Sequence, residues 1–261
     1  MERHEDDNQM LTFGGHLEVF RKTLFRILGI TTIAGILIFC FKDAVFELLL
    51  APSEWNFATY TFIEKVLCRI GVDFHFDEYY IDLISTDLAS QFMIHVTTSL
   101  YLGLLAASPY ILYELFRFVS PALYDDEKKY SIIILVIIYL LFMLGILMSY
   151  YVLFPISFRF LGTYSVAERV QSTITLKSYI STFTSLTLVM GLVFQLPVIA
   201  FALGKLGVVT AEALAGYRKH ALFILAAVSA FITPPDILSC ILVTIPLYLL
   251  YELSIRVISW A

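Results

Sequence analysis

The side chains best suited to chemistry in this chain are carboxylates set beside cations. The stretch Tyr113–Tyr130, YELFRFVSPALYDDEKKY, carries Asp125, Asp126 and Glu127 immediately before Lys128 and Lys129. A carboxylate can take a guanidinium through two parallel hydrogen bonds, a fork that an ammonium cannot reproduce. The same three acids would also complement the N-terminal dipole of a following helix. The residues alone leave both readings open. Other chemistries find no support. There is no GxSxG elbow, HExxH pair, Walker lysine loop or glycine-rich phosphate cradle. The five histidines show no metal spacing, and Cys40, Cys68 and Cys240 are too few and too scattered for a disulfide framework or a metal site. No enzyme, cofactor or metal is expected.

The elements that must position the acids are hydrophobic. Of 261 residues 59% are hydrophobic, and a mean hydropathy of +0.84 lies far above that of a water-soluble domain. The net charge of −5 lacks the basic stripe that nucleic acid requires. The opening MERHEDDNQM is acidic and polar, unlike a cleavable signal peptide. Uncharged windows at Ile27–Phe41, Leu88–Tyr113, Ser131–Phe158, Ser178–Gly204, Ala221–Pro235 and Ile237–Tyr251 predict an all-α membrane protein of six transmembrane helices. The approximate spans are 23–42, 88–113, 131–155, 178–204, 220–234 and 237–252, forming one domain over 1–261. Helices five and six are expected to be short, since each window of 15 residues rises only about 22 Å. Pro234, Pro235 and Asp236 make the turn between them, and Pro52 ends the helical pattern of DAVFELLL.

Lysine and arginine placement orients the bundle. Eleven lie in the N-terminal segment, the 114–130 loop, the 205–219 loop and the C-terminus, against six in the opposite loops. Both termini are therefore expected in the cytoplasm. The long 43–87 loop then lies outside, as a cap. Span interiors are nearly free of charge, which argues against an ion-coupled carrier. Gln195 is the clearest polar intruder there, suited either to an interhelical hydrogen bond or to holding a partner helix.

Several strings together resemble one family. HLEVFRKTL, STDLASQF, SPYILYELFRFVSPALYDDEKK, GLVFQLPV, ITPPDILS and IPLYLLYE occur in this order along nearly the whole chain. By these the chain is similar to TatC, the multispanning receptor subunit of the twin-arginine protein translocase. The resemblance implies a concave, glove-like bundle in a bacterial inner membrane, with cytoplasmic termini. It also implies recognition of the twin-arginine signal peptides of folded cargo by the N-terminal segment and the first cytoplasmic loop. Glu127 stands at the family's acidic loop position, held by Phe118, Pro121, Leu123 and Tyr124. His16, Leu17 and Arg21 match the N-terminal motif. There the usual acidic position is Val19 and the nearest carboxylate is Glu18, about 100° away around a helix.

Further implications concern partners. Small single-span subunits resembling TatA and TatB would pack on helices four to six, using Gln195, Thr233 and Cys240. The complex would contain several copies of this chain, a homo-oligomer, driven by the proton-motive force without nucleotide. Gln195 stands where relatives often carry an acid, and an amide cannot titrate. The alternatives are a small secondary transporter, which would normally show an internal repeat, and an assembly platform that never touches cargo.

Overall fold

The computed structural model describes residues 13–71, 81–119, 131–164, 173–233 and 236–259. Its helices in chain order are α1 (Phe13–Phe39), α2 (Lys42–Leu50), α3 (Ala58–Arg69), α4 (Ser90–Ala106), α5 (Ser108–Val119), α6 (Ser131–Met148), α7 (Phe154–Thr163), α8 (Leu176–Val193), α9 (Leu196–Lys205), α10 (Ala211–Gly216), α11 (Arg218–Ile232) and α12 (Ile237–Ser259). Two-residue strands β1 (Leu83–Ile84) and β2 (Ile174–Thr175) pair in parallel. The chain is an all-α membrane protein. Among the described residues four helical runs are long and apolar enough to cross a bilayer: Glu18–Phe39, Ile132–Thr163, Leu176–Lys205 and Ile237–Ser259. Exposed Ile132, Ile133, Val136, Ile137, Leu140 and Leu144 on α6 are what a lipid-facing surface requires.

The uninterrupted window at 88–113 does not give one straight helix. The chain breaks at Ala107, and α4 and α5 meet at a bend of 56°, a fifth span if counted as one. Pro109 supplies the cause, since it has no N–H to donate back into α4. The last helix also departs from expectation. α12 runs 23 residues, continuing past Tyr251 through Glu252 and Arg256. What is short is its charge-free stretch, not its backbone. α11 has 15 residues, as its window suggested. α4 begins at Ser90, two residues inside the expected span 88–113.

The chain folds into two compact units. In the first, comprising residues 1–40 and 99–136, α1 crosses the end of α4 at two glycines. A Cβ on Gly103 would lie 2.6 Å from the Gly35 nitrogen and 2.9 Å from the Thr31 carbonyl oxygen. Such proximity lets backbones pack where water supplies no driving force. Beyond the crossing, α1 lies along α5, with Thr23, Ala107, Ser108 and Glu114 buried.

The second unit, residues 41–98 and 137–261, has an aromatic core. Phe154 meets Tyr179 and Phe183 edge to face, with centroids 4.9 and 5.0 Å apart, and Phe158 meets Tyr179 in the same way. Around it, prolines create unpaired carbonyls that hydroxyls then claim. Pro52 has no amide for the Leu48 carbonyl, and the Tyr150 hydroxyl donates to that oxygen at 2.7 Å. Pro155 likewise has none for Tyr151, whose carbonyl accepts from the Thr59 hydroxyl. The helix between α6 and α7 widens to a π segment at Ser149–Leu153 where this happens. Tyr60 and Tyr179 add donations to the Pro155 and Leu49 carbonyls, at 2.7 and 2.8 Å. Residues 42–69 are thereby pinned to the π segment, α7 and α8. Elsewhere in this unit α6 meets α8 at Gly145 and Gly191, and α12 packs against α9 and α11.

Candidate functional site

The first unit holds the site. Val19, Thr23 and Arg26 recur at helical spacing and present one face of α1, with Lys22 at its edge. Glu114, Arg117 and Phe118 do the same on the last turns of α5. These seven side chains line a cavity of about 340 Å³. Phe118 of its wall also meets Phe20 of α1, with ring centroids 5.6 Å apart. The two segments expected to act together, the N-terminal motif and the entry to the 118–127 loop, thus meet in the described structure.

Glu114 is the unusual member. Its side chain is 4% exposed, yet it carries a carboxylate. The Tyr110 hydroxyl, one turn back, donates to Oε1 at 2.8 Å, and Arg26 Nη1 stands 3.5 Å from the same oxygen. Charge-assisted bonds of this kind normally close to about 2.7–2.9 Å. Arg26 therefore balances the charge without gripping it. A buried carboxylate so loosely compensated is costly to keep.

The other expected recognition residues fall variously. Glu18 is exposed and bonds Lys22, one turn on, at 2.8 Å; it forms no part of the cavity wall, whereas Val19 does. Arg21 is exposed. His16 and Leu17 lie in α1, with side chains outside the described set. Pro121, Leu123, Tyr124 and Glu127 lie outside the described residues altogether, as do Pro234 and Pro235. Glu114, Arg26 and Tyr110 were missed. Glu114 directly follows an uncharged window and reads there as the first residue of a loop. The Tyr110–Glu114 spacing of one helical turn was the signal available.

The residues expected at partner helices make contacts inside the chain. Gln195 sits between α8 and α9, and its Nε2 donates to the Ile138 carbonyl of α6 at 3.2 Å. Thr233 is buried and donates to the Ser229 carbonyl at 2.9 Å. Cys240 Sγ lies 3.1 Å from Ser229 Oγ, which also meets Thr244 Oγ1 at 2.7 Å. This hydroxyl–thiol cluster joins α11 to α12. Asp236 caps α12, its Oδ1 accepting from the Ser239 amide at 2.6 Å. Pro52 is buried in a 3₁₀ turn directly after α2.

A second cavity, of about 350 Å³ beside Phe154, Phe158 and Tyr179, offers hydroxyls from Ser157, Thr173, Ser178 and Thr182 but no charge. Of these two cavities, the charged one of the first unit is suited to an ionic ligand. Among the described residues no group of three or more His, Cys, Asp or Glu is placed to hold a metal ion.

Residues 15–246 match the family described as Sec-independent protein translocase protein (TatC). A Sec-independent protein translocase protein TatC from Blattabacterium sp. subsp. Periplaneta americana (strain BPLAN) is 33% identical over 257 residues, which cover 97% of each chain. The TatCy protein of Bacillus subtilis (strain 168) is 40% identical over 171 residues, 66% of this chain and 67% of that one. A crystal structure described as the twin arginine translocase receptor TatC superposes with a TM-score of 0.73 at 32% identity, over 94% of this chain and 98% of that chain.

Proposed function

The chain belongs to the TatC family of Sec-independent protein translocase proteins, and from that premise we propose that it is the signal-peptide receptor and core subunit of a twin-arginine translocase. As a member of that family it is a transport subunit and not an enzyme. On this reading it sits in a bacterial inner membrane with both termini in the cytoplasm. The bent α4–α5 pair and the 15-residue α11 complete six spans. The arginines of a folded cargo's signal peptide dock on Glu127, helped by the 16–21 segment. Subunits like TatA and TatB pack near Gln195, Thr233 and Cys240, and further copies of this chain join the complex. The proton-motive force drives export.

One observation carries the reading: the amino end of α1 and the carboxyl end of α5 are fastened together, by Phe20 on Phe118 and by Arg26 beside Glu114, around a charged cavity. That arrangement supports joint action of the N-terminal motif and the sequence that follows α5, where Glu127 is proposed to act. A twin-arginine peptide should crosslink to photoreactive side chains placed singly between 118 and 127. Glu127→Arg should abolish export of a twin-arginine reporter while the protein stays inserted and assembled. Normal export by that variant would sink the receptor assignment and leave the assembly-platform alternative.

A further inference from the structure

We propose that Glu114 is a second guanidinium acceptor in this chain, and that Arg26 occupies it as an internal stand-in which an incoming arginine displaces. The inference rests on the receptor reading above and adds a residue and a form of regulation to it. Four observations carry it. Glu114 is 96% buried by its 4% exposure, and it faces a cavity of about 340 Å³. It is the one carboxylate among the residues lining that cavity. The hydrogen bond it accepts from Tyr110 and the closest approach of Arg26 both fall on Oε1. Arg26 comes no nearer than 3.5 Å, from a side chain that is 53% exposed.

The physical argument is one of exchange. A peptide arginine replacing Arg26 leaves the charge count of the cavity unchanged. Arg26, already 53% exposed, gives up only an approach no nearer than 3.5 Å. The incoming guanidinium can take both carboxylate oxygens at hydrogen-bond distance, where Arg26 comes no nearer than 3.5 Å. Lysine gains no fork and should not displace Arg26 as well. Lys22, the nearest other cation on α1, already bonds Glu18 at 2.8 Å and does not compete. Val19 contributes no charge, so Glu114 is the acid that this cavity wall offers.

The test uses the full chain in phosphatidylcholine nanodiscs and a fluorescent signal peptide with two arginines, against its two-lysine counterpart. Glu114→Gln should weaken the arginine peptide by about tenfold or more, the scale of a charge-assisted hydrogen bond, and shrink the arginine-over-lysine ratio. Arg26→Gln should tighten the arginine peptide by roughly two- to fivefold, the worth of a half-exposed ion pair. The double variant should bind no more tightly than Glu114→Gln and show the same reduced ratio. Unchanged affinity and ratio in Glu114→Gln, with Glu127→Arg still abolishing binding, would overturn the role of Glu114 alone. Weaker binding by Arg26→Gln would overturn the stand-in role. No binding by the unsubstituted protein would overturn the receptor reading and this inference together. The cavity also holds Arg117, so an anionic headgroup is the competing occupant. Peptide binding that is indifferent to Glu114, with an Arg26-dependent gain in phosphatidylglycerol retention, would assign the cavity to lipid and overturn the proposal.

Discussion

Two arginine–glutamate pairs in this chain invert the usual relation between depth and pairing. Arg218 of α11 grips Glu252 of α12 as a full fork, Nε to Oε1 at 2.7 Å and Nη2 to Oε2 at 3.2 Å. Tyr248 adds its hydroxyl to Oε1 at 3.1 Å. Glu252 is 27% exposed. Glu114 is only 4% exposed, yet Arg26 comes no nearer to it than 3.5 Å. Burial raises the cost of an unsatisfied charge, so stability alone would place the better fork on the deeper acid. The saturated pair clasps two helices together. The unsaturated one keeps free capacity facing a cavity, which suits binding.

Substitutions can break that contrast. The largest effect is expected at the crossing that supports one pair and not the other. Gly103→Leu drives a side chain into the Gly35 backbone, at a cost of at least about 3 kcal/mol. It should abolish peptide binding and lower the yield of inserted protein, while leaving the Arg218–Glu252 clasp intact by crosslinking of α11 to α12. Loss of that clasp as well would mean that the two pairs do not stand on separate supports. Next come paired replacements of opposite sign. Glu114→Leu should hold or slightly raise the melting temperature, because a poorly paired buried charge is removed and the partner left behind is 53% exposed rather than buried. Glu252→Leu should lower the melting temperature and spare the peptide. Equal signs for the two would erase the distinction. The smallest expected effect is at Arg218→Lys, which loses the fork and should shift the melting temperature by about 1–2 °C. Its peptide affinity should not move.

Much of the architecture was legible because hydrocarbon imposes simple lengths. The windows at 131–158 and 178–204 correspond to the runs Ile132–Thr163 and Leu176–Lys205, since charge-free length decides a span almost alone. What escaped was local. Pro109 stood in view, but whether it bends a helix or opens a new one depends on what packs against Ala107 and Ser108. The π segment was not readable either, because the hydroxyl that makes a widened turn tolerable lies on Thr59, far away in sequence. Glu114 shows the limit for sites. Counting charge along the chain put it at the edge of a loop, whereas its meaning comes from α1, which reaches it only in three dimensions. Glu18 shows the converse: nearest in sequence to the missing acid, it turned toward its own helix and Lys22.

The hydroxyls of Tyr150 and Thr59 have a consequence for how the chain matures. Each serves a backbone oxygen that a proline elsewhere leaves bare, and each lies in the segment the other needs. Residues 42–69 leave the ribosome well before 149–155, so the earlier segment must wait, unsettled, for its donor. When the later one arrives, both backbones are completed in one step. A nascent chain halted before Ser149 should therefore expose its 42–69 region to protease, and the same region should become resistant once Pro155 has been delivered.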